Sequence, residues 1–369
     1  MSLSGRNGSA RSVEWFVGGG GSSRGLHLAG FEALELVDKE PSVAATLGAA
    51  GFPASRIRIE DIARAAETSP SADLLWASPP CQPASRAGKR GGRGDSRSAF
   101  DAFLEALEIL RRRGVLPPLL LVENVVGQNE HDADCKGSCP GCDWESLERV
   151  VAEFYPSTST RALRSADYGV PQHRNRLFLC GSPRPFAWPT PSHSLESLAS
   201  AKWVTGDYWT RHRNAPSSEG SMNQAEQRAL TDGAKSPLLP WVTVRDALPD
   251  LVRSRSGRVV HERSESPLAG SEPWRLDLPS TVVAATDEKG TNYTKGMTTK
   301  RRTPMRASDT IYLATGIRRP TVDELAILQT FPSGAKFSGS VHQQYIQVGN
   351  AVPVVLAKAL GLALREMIR

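Results

Sequence analysis

Apolar residues in this chain gather into short unbroken runs that stop at glycine, proline or an acid. Trp15-Phe16-Val17 runs into Gly18-Gly19-Gly20-Gly21, and residues 22–30 then read as a helix. Phe31 to Val37 reads as a second strand that ends at Asp38. Strand, glycine turn, helix and strand make a βαβ start, with an acid about twenty residues past the turn where a nucleoside ribose is held. Four glycines also suit a flexible linker. The strand before them and Asp38 after them favour the nucleoside reading, without requiring that the cofactor be NAD.

The next runs extend the pattern. Residues 57–62 read as a third strand tip carrying Asp61, and residues 73–76 as a fourth strand. That strand leads into Ser78-Pro79-Pro80-Cys81-Gln82. Proline fixes φ and removes amide donors, so Cys81 stands on a stiff turn at the carboxyl end of a strand, where open α/β sheets bind ligands. Phe100, Phe103, Leu104, Leu107 and Leu110 recur at helical spacing, and Arg111-Arg112-Arg113-Gly114 reads as the helix end. Residues 117–122 read as a buried parallel strand that delivers Glu123-Asn124-Val125 to the same edge as Cys81. Gln172, Arg174 and Arg176 precede the apolar Leu177-Phe178-Leu179-Cys180, and on a strand the three share one face.

Composition shifts near Pro183. Residues 184–316 are rich in Ser, Thr, Pro and Trp with weak periodicity, which predicts a separate loop-rich lobe. Regular patterning resumes toward the end, so three parts are expected: a catalytic domain over 1–183, a lobe over 184–316, and a segment 317–369 returning to the first. Thirty-nine per cent hydrophobic residues, no membrane-length apolar stretch and no leader-like opening point to a cytoplasmic protein with no membrane partner. Five cysteines without a paired framework fit a reducing compartment. The net charge of +6 permits a polyanionic partner without proving one. Charge is concentrated in two places: residues 83–97 carry Arg86, Lys89, Arg90, Arg93 and Arg97 beside Ser85, and residues 289–306 hold six basic residues and no acid. The first reads either as a solvated loop or as a cationic clamp closing on phosphates beside the thiol.

Taken in order, these pieces resemble the DNA cytosine-5 methyltransferase family. Phe16 to Gly21 corresponds to its F-x-G-x-G-G, Pro80-Cys81-Gln82 to its nucleophile motif, Glu123-Asn124-Val125 to E-N-V, and Gln172 to Arg176 to Q-x-R-x-R. Gln329-Thr330-Phe331-Pro332 and Gly349-Asn350-Ala351-Val352-Pro353 match the last two motifs. Glu14-Trp15 stands where Asp-Leu is usual, and Lys39 where an adenine-stacking aromatic is common. The resemblance implies an α/β, Rossmann-like S-adenosylmethionine-dependent methyltransferase fold with a mostly parallel sheet and a smaller target-recognition lobe. It implies that Cys81 adds to carbon 6 of a flipped-out cytosine in duplex DNA, making carbon 5 able to attack a sulfonium methyl. Glu123 would hold the ring N3 and amine, Arg176 the ring carbonyl oxygen, and Arg174 and Gln172 the loop, with Arg174 or Arg176 favouring the thiolate. Phe16, Gly18, Gly20, Asp38, Asp61, Pro79 and Asn350 would form the S-adenosylmethionine pocket.

The expected partner is double-stranded DNA, with Lys300, Arg301 and Arg302 in the best candidate recognition segment, reading bases or contacting phosphates. The chain is expected to be a monomer, nucleoid-associated if bacterial, and the resemblance leaves room for a cognate restriction endonuclease. Outside the shared motifs, His131, Cys135, Cys139 and Cys142 have spacing that suits a structural zinc, or form an exposed loop with unpaired thiols. Two other functions fit the motifs. A tRNA-modifying branch shares them, although its Cys-Phe-Thr tripeptide is absent from residues 184–316. A catalytically dead DNA-binding regulator is opposed by the intact Cys81, Glu123 and Arg176.

Overall fold

Leu74, Leu75, Trp76 and Ala77 are all buried because the strand they form is covered on both faces. The computed structural model describes residues 9–80, 99–129, 140–213, 222–231, 236–249, 258–259, 276–280, 317–318 and 320–368. Seven strands form its main sheet: β1 (Ala10–Trp15), β2 (Phe31–Asp38), β3 (Ile57–Ile59), β4 (Leu74–Ala77), β5 (Leu119–Val125), β6 (Ser157–Arg164) and β7 (Asn175–Ser182). Their order is β3-β2-β1-β4-β5-β7-β6, with β7 antiparallel to both its neighbours and the rest parallel. Strand order reverses between β1 and β4, the switch point at which doubly wound sheets bind ligands.

Helices cover both faces. Val13, Trp15, Leu75, Leu120 and Val122 pack with Phe103 and Leu107 of α4 (Ala99–Arg112) and Trp144 and Leu147 of α5 (Pro140–Phe154). Leu74, Trp76, Leu119 and Leu121 face the other way, onto Leu26 of α1 (Gly21–Leu28) and Leu356 and Leu360 of the closing helix Val354–Ile368. A side-chain period of two accounts for this alternation. α1 and the closing helix approach closely: a Cβ on Gly25 would stand 2.4 Å from Ala357 Cβ.

Two local expectations change. β1 ends at Trp15 because Phe16 turns the chain with φ of 57°, so the strand lies earlier than its apolar run suggests. It buries Ser12 and Glu14 among apolar neighbours, and burial pushes the Glu14 carboxyl up to about 7 against the 2.9 Å hydrogen bond from Ser12 Oγ. Gln172 and Arg174 are not on a strand. The Gln172 and Arg174 amides donate to Val170 O and Gln172 O, a tight turn that ends where β7 begins at Asn175.

Within residues 184–316, the described parts hold short helices α6 (Leu195–Trp203), α7 (Asp207–His212) and α8 (Gln224–Thr231), and a small core of Leu198, Tyr208, Trp209 and Trp241 built onto Ala166. Trp241 leads through Thr243, whose hydroxyl and Asp246 form a capping box, into the helix Val244–Ala247. Residues 320–368 return to the sheet as three helices, of which Val341–Asn350 packs in a third cluster with Leu325, Phe331 and Val354. No described helix is long and apolar enough to cross a membrane.

Candidate active site

Register sets the site. Trp15 of β1 pairs with Ala77 of β4, Ala77 with Val122 of β5, and Val125 with Arg176 of β7. Phe16, the Ser78-Pro79-Pro80 turn, Glu123 and Arg176 therefore meet at one edge of the sheet. Ser78 N–H donates to Trp15 O at 3.2 Å, and Asn124 Nδ2 donates to Pro79 O at 3.1 Å. Asn124 is itself held by Val125 N–H, which donates to its Oδ1 at 2.8 Å. The strand thus fixes the two prolines that precede Cys81, using a side chain that the motif reading passed over.

Glu123 is 5 % exposed, and Arg176 Nε lies 3.0 Å from its Oε1. The two sit on neighbouring strands with a two-residue diagonal offset, the spacing at which side chains on one face touch. Arg174 is fully buried, and its carbonyl accepts from both the amide and the hydroxyl of Ser165 at 2.8 Å. It is a framework cation rather than one open to a ligand. Gln172 is buried as well: its Nε2 donates to Gln329 Oε1 at 3.2 Å, while Gln329 Nε2 donates to Val348 O at 2.9 Å. Two motifs far apart in sequence are joined there, tying the arginine turn to the returning segment. Between them, burial and the nearby Arg164 push the His173 imidazole down to about 4, so it stays neutral near pH 7.

On the other side of the edge lies a glycine turn of different character. Gly18 and Gly20 have φ of 50° and 75°, conformations that glycine adopts without strain, and nothing stands within 4 Å of where a Gly18 Cβ would point. Asp38 Oδ2 accepts from Gly18 N–H at 2.8 Å and Oδ1 from Glu40 N–H at 2.9 Å. Each carboxylate oxygen has a further lone pair to offer a hydroxyl. Burial pushes the Asp38 carboxyl up, opposed by the donors at Glu40 and Gly18. Asp61 caps α3 (Ile62–Ala66) through Ala63 N–H at the tip of β3, and is exposed. Phe16 is half-buried, its ring edge-on to Phe103, and Lys39 is exposed. Asn350 is exposed at the end of its helix. That helix is stitched to α2 (Pro41–Ala49): Thr46 Oγ1 donates to Gln347 Oε1 at 2.7 Å, and Gln343 Nε2 to Glu40 Oε1 at 3.0 Å. An open glycine turn and an acid with spare lone pairs fit the nucleoside end of S-adenosylmethionine.

Cys81, Ser85, Arg86, Lys89, Arg90, Arg97, Lys300, Arg301 and Lys289 lie outside the described residues, as do Arg302, His131, Cys135 and Cys139. Cys142 is half-buried in the first turn of α5. Among the described residues no group of three His, Cys, Asp or Glu is placed to hold a metal, so the zinc expectation gains no support.

A doubly wound sheet with six parallel strands and one antiparallel strand, carrying an open glycine turn, a carboxylate on the next strand and a Glu–Arg ion pair, is the architecture of a Rossmann-like methyltransferase. Residues 10–366 match the C-5 cytosine-specific DNA methylase family, and the chain belongs to it. Type II methyltransferase M.PspPI of Psychrobacter is 29% identical over 96% of this chain and 79% of its own length. Type II methyltransferase M1.HphI of Haemophilus parahaemolyticus is 27% identical over 96% and 86%. Among solved structures, the Dnmt2 methyltransferase of S. pombe shares the fold with TM-score 0.54 and 19% identity, over 97% of this chain and 99% of that one. A putative DNA modification methyltransferase from an E. coli prophage does so with TM-score 0.56 and 16% identity, over the same shares.

Proposed function

We propose that this chain methylates carbon 5 of a flipped-out cytosine in duplex DNA, with Cys81 bonding to carbon 6. The observation that carries this reading is the Glu123–Arg176 pair, the acid buried and the arginine half-buried 3.0 Å from it, beside the turn that leads to Cys81. Glu123 shares a proton with the cytosine N3 and accepts from the exocyclic amine, and Arg176 donates to the ring carbonyl oxygen. Together they stabilise charge that builds as the thiolate adds. Arg174 acts from behind, holding the turn and adding positive potential that favours the thiolate. S-adenosylmethionine, when bound, supplies the methyl group. Gly18, Gly20 and Asp38 would hold it with Phe16, Asp61, Pro79 and Asn350.

The remaining assignments rest on sequence. Residues 83–97 would clamp the flipped strand through Ser85, Arg86, Lys89, Arg90 and Arg97, and residues 184–316 would read the site through Lys300, Arg301 and Arg302. Residues 317–369 would complete the catalytic domain begun by 1–183. Type II relatives support a cognate restriction endonuclease as a partner.

The test is bisulfite sequencing of DNA from cells that express the chain. One short sequence context with protected cytosines is the expected result, and uniform conversion of every cytosine would contradict the reading. Asn124→Ala probes the turn: loosening Pro79 is expected to slow methyl transfer about ten- to a hundredfold, with S-adenosylmethionine affinity nearly unchanged. Single-turnover kinetics and calorimetry would check this, and an unaltered rate would show that the Asn124 amide holds nothing the thiol needs.

A further inference from the structure

Lys202 is a lysine buried away from the surface. Its side chain and that of Glu226 are fully buried, and Nζ donates to Glu226 Oε1, to Asp277 Oδ2 and, at 3.4 Å, to Asp277 O. Three N–H groups thus meet three acceptors, while the rings of Trp203, Tyr208 and Trp209 lie 5.2, 6.0 and 5.6 Å away. Asn223 N–H donates to the other Glu226 oxygen at 2.9 Å. Burying such a cluster is costly, and apolar residues of similar size often serve stability as well or better. Its specific product is position: both the carboxylate and the carbonyl of Asp277 are pinned.

That position is passed along the chain. Arg245 N–H donates to Leu276 O at 2.8 Å and Val244 N–H to Leu278 O at 2.9 Å, so the residues flanking Asp277 are fixed in register. Ser280 N–H then donates to Pro171 O at 3.0 Å, and His173 N–H to Ser280 O at 2.8 Å. The turn so gripped holds Gln172 and Arg174 and leads into Arg176. Trp241 closes the other side: its ring meets His173 edge-to-face at 5.1 Å, while its Nε1 donates to Asp167 Oδ1 at 3.0 Å. Trp241 and residues 276–280, both within 184–316, thus grip this turn alongside Ser165 and Gln329.

We propose that the Lys202–Glu226–Asp277 cluster is a latch that, through Leu276 to Ser280, positions the arginine turn for catalysis, making Asp277 and Lys202 positioning residues; this rests on the cytosine-binding reading of Arg176. The latch makes geometry at Glu123 depend on the lobe, although no member of the cluster touches the reacting atoms.

The test measures single-turnover capture of duplex DNA containing 5-fluorocytosine, with S-adenosylmethionine, by the full-length chain. Asp277→Asn, which keeps size and one acceptor, is expected to slow capture about tenfold or more, with DNA and S-adenosylmethionine affinities within about twofold. In an Arg176→Lys background the same change is expected to cost less than about twofold, because the positioned group is already compromised. If Asp277→Asn fails to fold, the neutral combination Lys202→Met, Glu226→Gln and Asp277→Asn carries the same prediction. Capture at the unsubstituted rate, or an equal loss in both backgrounds, would overturn the latch while leaving the cytosine-binding reading standing. No capture by the unsubstituted chain would overturn that reading, and the latch with it.

Discussion

Cys81→Ser is expected to lower methyl transfer by on the order of 10⁴-fold or more, the scale on which enzymes lose rate when their nucleophile is removed. The reason is chemical. A thiolate is both available near neutral pH and intrinsically nucleophilic, whereas a serine hydroxyl needs a strong base beside it. Among the residues gathered at this edge, Glu123 is engaged with Arg176, and burial against Trp241 makes the His173 imidazole a weak base. Nothing in that arrangement is suited to activate an alcohol at position 81. S-adenosylmethionine binding should survive, because Gly18 in the turn after β1 and Asp38 at the end of β2 are untouched, and Asn124 still holds Pro79. Transfer of labelled methyl groups and calorimetry with S-adenosylmethionine would separate the two effects. Retained turnover would remove Cys81 from the mechanism.

Glu123→Gln has the second largest expected effect, about 10²–10³-fold in transfer rate, comparable to deleting one preorganised group at a developing charge. Glutamine keeps the size and some hydrogen-bonding capacity of Glu123, so the buried slot in β5 should stay filled and the sheet intact. It loses the charge that holds Arg176 at 3.0 Å and the capacity to share a proton with the ring nitrogen. DNA affinity should change only a few-fold, since most of it comes from phosphate contacts elsewhere. A steady-state comparison of the transfer rate with the dissociation constant for DNA decides the matter. Equal losses in both would mean that Glu123 serves mainly to hold the strand end.

Much of the sheet was legible because its strands are buried on both faces. Leu74 to Ala77 and Leu119 to Val122 read as apolar runs, and runs of that kind form central parallel strands. β6 left no such mark. Its residues Ser157 to Arg164 lie at the sheet edge, exposed or half-buried but for Leu163, so no apolar pattern announces them. The turn over Gln172 to Arg174 was misread as strand because an alternating polar pattern appears in both; what distinguishes them is the set of backbone bonds to Ser280 and Ser165, over long separations. Lys202, Glu226 and Asp277 carry charges that sequence reasoning assigns to the surface, and only folding across 24 and 75 residues shows them buried together. The same applies to Thr330, a β-branched residue at φ of 59°. Its hydroxyl accepts from Val355 N–H at 3.0 Å at the start of the closing helix, a role its motif does not advertise.

The chemistry was legible in a different way. Glu123 and Arg176 could be named from the resemblance of their motifs to the family's, but their pairing required the antiparallel register of β5 and β7. Asn124 was visible only as part of a tripeptide. Its amide on the Pro79 carbonyl links that tripeptide to the cysteine turn.

The account stands or falls on a covalent bond between Cys81 and a cytosine in DNA. Incubating the chain with S-adenosylmethionine and duplex DNA containing 5-fluorocytosine, followed by a denaturing gel, tests it directly, because fluorine cannot leave carbon 5 as a proton does. The expected result is a denaturation-resistant protein–DNA adduct that depends on S-adenosylmethionine and disappears with Cys81→Ser. An adduct that persists in Cys81→Ser, or methyl transfer to ordinary cytosine DNA by a chain that forms no adduct, would contradict it.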